Sequence, residues 1–62
     1  MKDFNQLSRE EDDLKKELVN NIEKYISLSL EIFANSSYSK EHKEKVNNLR
    51  MKLLNVEFEL YK

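Results

Sequence analysis

The stretch EIFANSSYSKEHKEKV, residues 31–46, decides the fold. Apolar Ile32 and Phe33 close one periodic segment, and Val46 belongs to the next. Between them lies a polar cluster, Asn35, Ser36, Ser37, Tyr38 and Ser39. Serine and asparagine bond to nearby backbone groups, so they favour turns and caps over helix interiors. Asn35 suits a left-handed C-terminal cap where glycine is absent. Ser39 suits an N-cap, with Glu41 in the first turn after it. A connection of about five residues makes two helices antiparallel neighbours.

Downstream of the turn, the spacing predicts a helix over residues 40–61. It carries two apolar sets. Val46, Leu49, Leu53, Val56 and Leu60 follow steps of 3 and 4. So do Met51, Leu54, Phe58 and Tyr61. Upstream, the pattern predicts a helix over residues 9–34. Ser8 and Glu11 have the form of a capping box, in which each side chain bonds the other's backbone amide. Glu10, Glu11, Asp12 and Asp13 then complement the helix dipole. A start capped by Asp3, with Gln6 three residues on, is the less favoured variant. Residues 1–8 are read as a tail in which Phe4 and Leu7 project past the second helix.

The first helix also carries two sets. One is Leu14, Leu18, Tyr25, Leu28 and Ile32, with polar Asn21 among them. The other is Val19, Ile22, Ile26 and Phe33, with Ser29 near the middle of the combined face. At about 100° per residue the two stripes together cover more than half the cylinder. A small residue at position 29 would let a neighbouring helix approach closely. Wound about the turn, Tyr25 is expected to face Leu49, Ile22 to face Met51, and Leu18 to face Leu54.

Composition supports an all-α chain. There are 62 residues with no glycine, proline or cysteine, and 37% are charged. Turn-rich β folds rely on glycine and proline. A chain this short makes one small domain, and its core rarely supplies more than about 3–5 kcal/mol. Without cysteine, disulfides and thiolate metal sites are excluded, and absence of cysteine fits a reducing cytoplasm. The N-terminal residues lack the apolar run of a signal peptide, and no run approaches a membrane span. Residues 1–31 carry 5 Lys/Arg against 8 Asp/Glu, and residues 32–62 carry 6 against 4. The resulting balances of −3 and +2 suit two segments lying side by side.

Two helices can shield one stripe each, and this chain has two on each. The expected architecture is therefore an antiparallel two-helix hairpin dimerising into a four-helix bundle. The expected function is non-enzymatic protein–protein interaction, as a small regulator, adaptor or inhibitor of a larger protein. Its small size and Asn/Lys-rich helices are compatible with a phage- or plasmid-borne origin. The candidate face is Val19, Ile22, Ile26 and Phe33 with Met51, Leu54, Phe58 and Tyr61, followed by Phe4, Leu7 and Tyr38. Tyr38 is expected to be an exposed aromatic anchor, and Tyr25 and Tyr61 to be core edges.

Other chemistry finds weaker support. His42 has no orienting carboxylate or pocket implied by its context and reads as a partly buried residue near the turn. Glu10, Asp13 and Glu17 share a helix face, but solvation and dipole complementarity account for them better than a cation does. No catalytic residue, metal or cofactor is assigned. The alternative reading is a helical dimer that binds RNA or DNA through Lys40, Lys43, Lys45, Arg50 and Lys52. Interleaved Glu41, Glu44 and Glu59 weaken it, because nucleic-acid domains concentrate positive charge on one face.

Overall fold

The computed structural model describes residues 1–61. It is an antiparallel pair of helices, α1 (Phe4–Ala34) and α2 (Lys40–Leu60), packed against each other. The molecule measures 50 × 18 × 18 Å. Its length is set by α1, since 31 helical residues rise about 46 Å. No described helix is long and apolar enough to cross a membrane.

Helix α1 begins at Phe4, well before the expected start at residue 9. Asp3 is the N-cap. Its carboxylate accepts from the Gln6 amide at 2.8 Å, while the Asp3 amide donates to Gln6 Oε1 at 3.3 Å. This is a complete capping box, and Ser8 lies inside the helix rather than at its cap. The physical reason is order along the chain. Nothing between Asp3 and Ser8 breaks a helix, so the chain stays helical past Ser8 until the Asp3 box closes it. Residues 4–8 are thus helical, not a tail. Lys2 also reaches back to Glu10, Nζ to carboxylate at 2.7 Å.

The turn is built without a left-handed residue. Asn35 is extended, at φ −95° and ψ 120°, so it does not supply the left-handed cap expected of it. Its side chain ends the helix instead. Asn35 Oδ1 accepts from the Ser37 amide at 2.8 Å, an Asx turn that competes with helical continuation. The Asn35 amide donates to Ile32 O at 3.1 Å. Ser39 then caps α2, its hydroxyl accepting from the His42 amide at 3.1 Å.

The seam between the helices is narrow and partly polar. Helix α1 contributes Val19, Ile22, Ile26, Ser29 and Phe33, at steps of 3 and 4. Helix α2 contributes Val46, Arg50, Leu53, Glu57 and Leu60, at the same steps. Among the described residues, the only buried apolar side chains are Ile22 (2% exposed) and Val46 (5%). Ser29 is 0% exposed, and its hydroxyl donates to Ile26 O at 2.6 Å. A buried hydroxyl turned onto its own helix makes no demand on the neighbour and takes little room.

The face-to-face pairs expected from the turn do not form as such. Leu18, Leu49, Met51 and Leu54 all remain exposed. Helix α2 is rotated so that Val46, Leu53 and Leu60 point inward while Met51 and Leu54 swing outward. On α1 the inward stripe carries the small, fully buried Ser29, which leaves room for α2 to pack close against it.

Candidate interaction surface

Three of the inward residues on α2 are charged or carry long polar ends, and each is handled differently. Arg50 lies along the seam with its guanidinium carbon 5.7 Å from the centre of the Phe33 ring, a cation–π contact. One terminal nitrogen donates to Asn47 Oδ1 at 2.9 Å, while Arg50 Nε is buried without a partner. Lys43 is half-buried nearer the turn. Glu57 is half-buried opposite Glu23. Burial pushes the Glu57 carboxyl above the usual carboxylate range, and the hydrogen bond and charge of Glu23 push it further the same way.

The outer surface divides into two apolar flanks. A shallow groove brings Leu60 and Tyr61 beside Asp12, Lys16, Asn20 and Glu23. This fixes the geometry. The Tyr61 side of α2 and the Lys16 side of α1 lie on one side of the hairpin. Helical spacing then puts Met51, Leu54 and Phe58 on that same side with Tyr61. The opposite side carries Leu7, Leu14, Leu18 and Leu28 from α1 with Leu49 and Val56 from α2. All of these residues are exposed.

The sequence-predicted residues therefore separate. Val19, Ile22, Ile26 and Phe33 are not an open face, because they are half-buried or buried within the hairpin seam. The outward stripe of α1 is the other one, Leu14, Leu18 and Leu28, extended by Phe4 (82% exposed) and Leu7. Met51, Leu54, Phe58 (68% exposed) and Tyr61 do form an exposed row on α2. Tyr61 is thus no core edge, whereas Tyr25 is half-buried. Phe4 and Leu7 stand on the first turns of α1, where α2 does not reach. Tyr38 is exposed and stacks on His42, ring centres 5.0 Å apart and 15° from parallel. His42 is exposed rather than partly buried, because the cap at Ser39 starts α2 with that side chain facing outward toward Tyr38.

The polar surface offers less. Lys45 pairs with Glu41 at 3.7 Å and Lys15 with Glu11 at 3.8 Å, both exposed one-turn pairs of small energetic weight. With Lys43 turned into the seam, the helix α2 cations do not make a single stripe. Among the described residues, no group of three or more His, Asp or Glu is placed to hold a metal ion. Arg50, Lys43 and Glu57 were not legible as seam residues, because charge at those positions reads as solvated surface. The only signal was their spacing from Val46, Leu53 and Leu60. Comparison with protein-family models, curated proteins and solved structures finds no match to this chain.

Proposed function

We propose that this chain is a small non-enzymatic protein–protein interaction module of the cytoplasm, a regulator, adaptor or inhibitor that works by presenting apolar helix faces. Its first partner is a second copy of itself, two hairpins contributing four helices, and its second is a larger protein. One observation carries the reading: pairing the helices buries Ile22 and Val46 but leaves two rows of large apolar side chains exposed, one on each helix. Each such side chain left wet forgoes roughly 1.5–3 kcal/mol. Rows of this kind mark interaction surfaces. The α2 row suits a protein partner, since Phe58 and Tyr61 are aromatic anchors and Met51 adapts its shape to what it meets.

Sedimentation equilibrium across a wide concentration range tests the reading, together with Leu18→Asp and Phe58→Asp. The expected result is a concentration-dependent dimer that at least one of the two substitutions dissociates or deprives of its partner, with helix content retained. A chain that is monomeric, stably helical and indifferent to both substitutions would overturn it.

A further inference from the structure

The outward stripe of α1 has a property that the α2 row lacks. From Phe4 it runs through Leu7, Glu11, Leu14, Leu18, Asn21, Tyr25 and Leu28 without losing the 3 and 4 spacing. That is a heptad seam along nearly the whole helix, interrupted at two places by polar residues. Its beginning also lies beyond its own hairpin. Helix α2 ends beside Asp12, Lys16 and Asn20, so no described residue of α2 lies beside the first two turns of α1.

We propose that this stripe seats a second copy of the chain, antiparallel, with Phe4 opposite Leu28, Leu7 opposite Tyr25, Leu14 opposite Leu18, and Glu11 opposite Asn21. The proposal rests on the self-association proposed above and adds its face, direction and register. Antiparallel helices alternate the two seam positions, and this alignment is set by the polar breaks. It puts Glu11 against Asn21 twice, so a carboxylate meets an amide that donates to it. Sliding by one heptad in either direction sets Glu11 or Asn21 against leucine. A parallel, in-register pair sets Glu11 against its own copy within an apolar seam. Buried polar groups without partners are what specify register in such seams.

Two further features agree with the alignment. Glu10, on the flank of the seam, falls opposite Lys24 of the second copy, so two opposite-charge pairs form by symmetry. Glu10 can bridge Lys24 and its own Lys2. Glu17 meets its copy at the two-fold axis, on a solvated flank where repulsion is weak. More tellingly, the first turns of the second copy lie along Asn21–Leu28. Leu49 and Val56 of α2, exposed on the same side of the hairpin, stand about level with that segment. Phe4 and Leu7 of the second copy thus enter a groove between the two helices. Each end of the dimer is then three helices thick, and Leu49 and Val56 gain an occupant. The Met51–Tyr61 row stays outside, available to a different protein.

The chain has no cysteine, so introduced ones report cleanly. In Glu10→Cys/Lys24→Cys the two thiols of one chain are about 21 Å apart along α1, too far for a disulfide within it. Mild oxidation should yield covalent dimer, at least ten-fold more than Leu7→Cys does. Position 7 would cross-link in a parallel pair but sits about 27 Å from its copy here. Both variants can be read with sedimentation on the reduced proteins. A reduced dimer that cross-links through Leu7→Cys, or through neither variant, overturns the register while leaving self-association standing. A strictly monomeric reduced protein overturns both.

Discussion

Ser29 is the most deeply buried of the described residues, and its replacement by leucine tests how tightly the seam is packed there. The side chain is fully buried, and its hydroxyl bonds only to Ile26 O of the same helix at 2.6 Å. Leucine adds a branched four-carbon group where no space remains. Overpacking of this kind costs typically 1–3 kcal/mol. A core of this size rarely supplies more than about 3–5 kcal/mol, so Ser29→Leu removes a large part of the stability. In a domain this small each kcal/mol lost moves the melting temperature by about 4–8 °C. Ser29→Ala is the control. It loses a hydrogen bond of net value about 0.5–1.5 kcal/mol, while alanine favours the helix by about 0.5 kcal/mol, so the balance stays within about 1 kcal/mol. Far-UV circular dichroism melts, at one fixed concentration, measure both. The reasoning fails if Ser29→Leu melts at or above the wild-type temperature. It also fails if the alanine variant is the more damaged of the two.

Substitutions at three other positions follow from the seam and the caps. Glu57 has a raised carboxyl pKa, so the folded chain holds that proton more tightly than the unfolded chain does. Its contribution to stability therefore declines as pH rises from the ordinary value near 4.5 through the raised one. Glu57→Gln should melt higher than wild type at pH 7, with the difference closing as pH falls below that window. A difference that does not vary with pH would contradict this. Arg50→Met keeps the buried stem and removes the unpartnered Nε. It should be as stable as wild type or more so by up to about 1 kcal/mol, whereas Arg50→Ala should lose about 1–2 kcal/mol in a urea titration, because packing goes with the charge. Asp3→Ala removes a cap worth about 1 kcal/mol. In dilute protein it should speed amide exchange in the first turn of α1 and leave the main melting transition in place.

The hairpin itself was legible in the sequence. A cluster of asparagine and serine between two helical periodicities can do little but turn, and Ser39 carries the cap that its position implied. Ser29 stood out as a small residue on an apolar face, and the structure puts it at the contact. What was not legible was the choice between stripes. When apolar residues cover more than half a helix, periodicity establishes the helix but not its rotation. The inward stripe of α2 also contains Arg50 and Glu57, which a rule of apolar-inside patterning assigns to solvent. The start of α1 was hidden for another reason. Asp3 with Gln6 and Ser8 with Glu11 are both competent capping boxes, and local chemistry alone does not rank them. Of the candidate surface, Met51, Leu54, Phe58 and Tyr61 could be read directly from spacing. The role of Leu14, Leu18 and Leu28 depended on knowing which stripe the hairpin had already used.

The brevity of the turn has a consequence for how the chain folds. Phe33 and Val46 are separated by few residues, whereas Val19 and Leu60, at the far end of the seam, are separated by most of the chain. Closing a loop of about ten residues takes roughly 10–100 ns, and longer closures are slower and lose more entropy. The helices are therefore expected to close from Asn35 outward, like a zip with its slider at the turn. Substitutions beside the turn, at Phe33, Ser39 or Val46, will slow folding. Substitutions at Val19 or Leu60 will leave the folding rate nearly unchanged and speed unfolding instead. A uniform-looking pair of helices thereby acquires a direction in time.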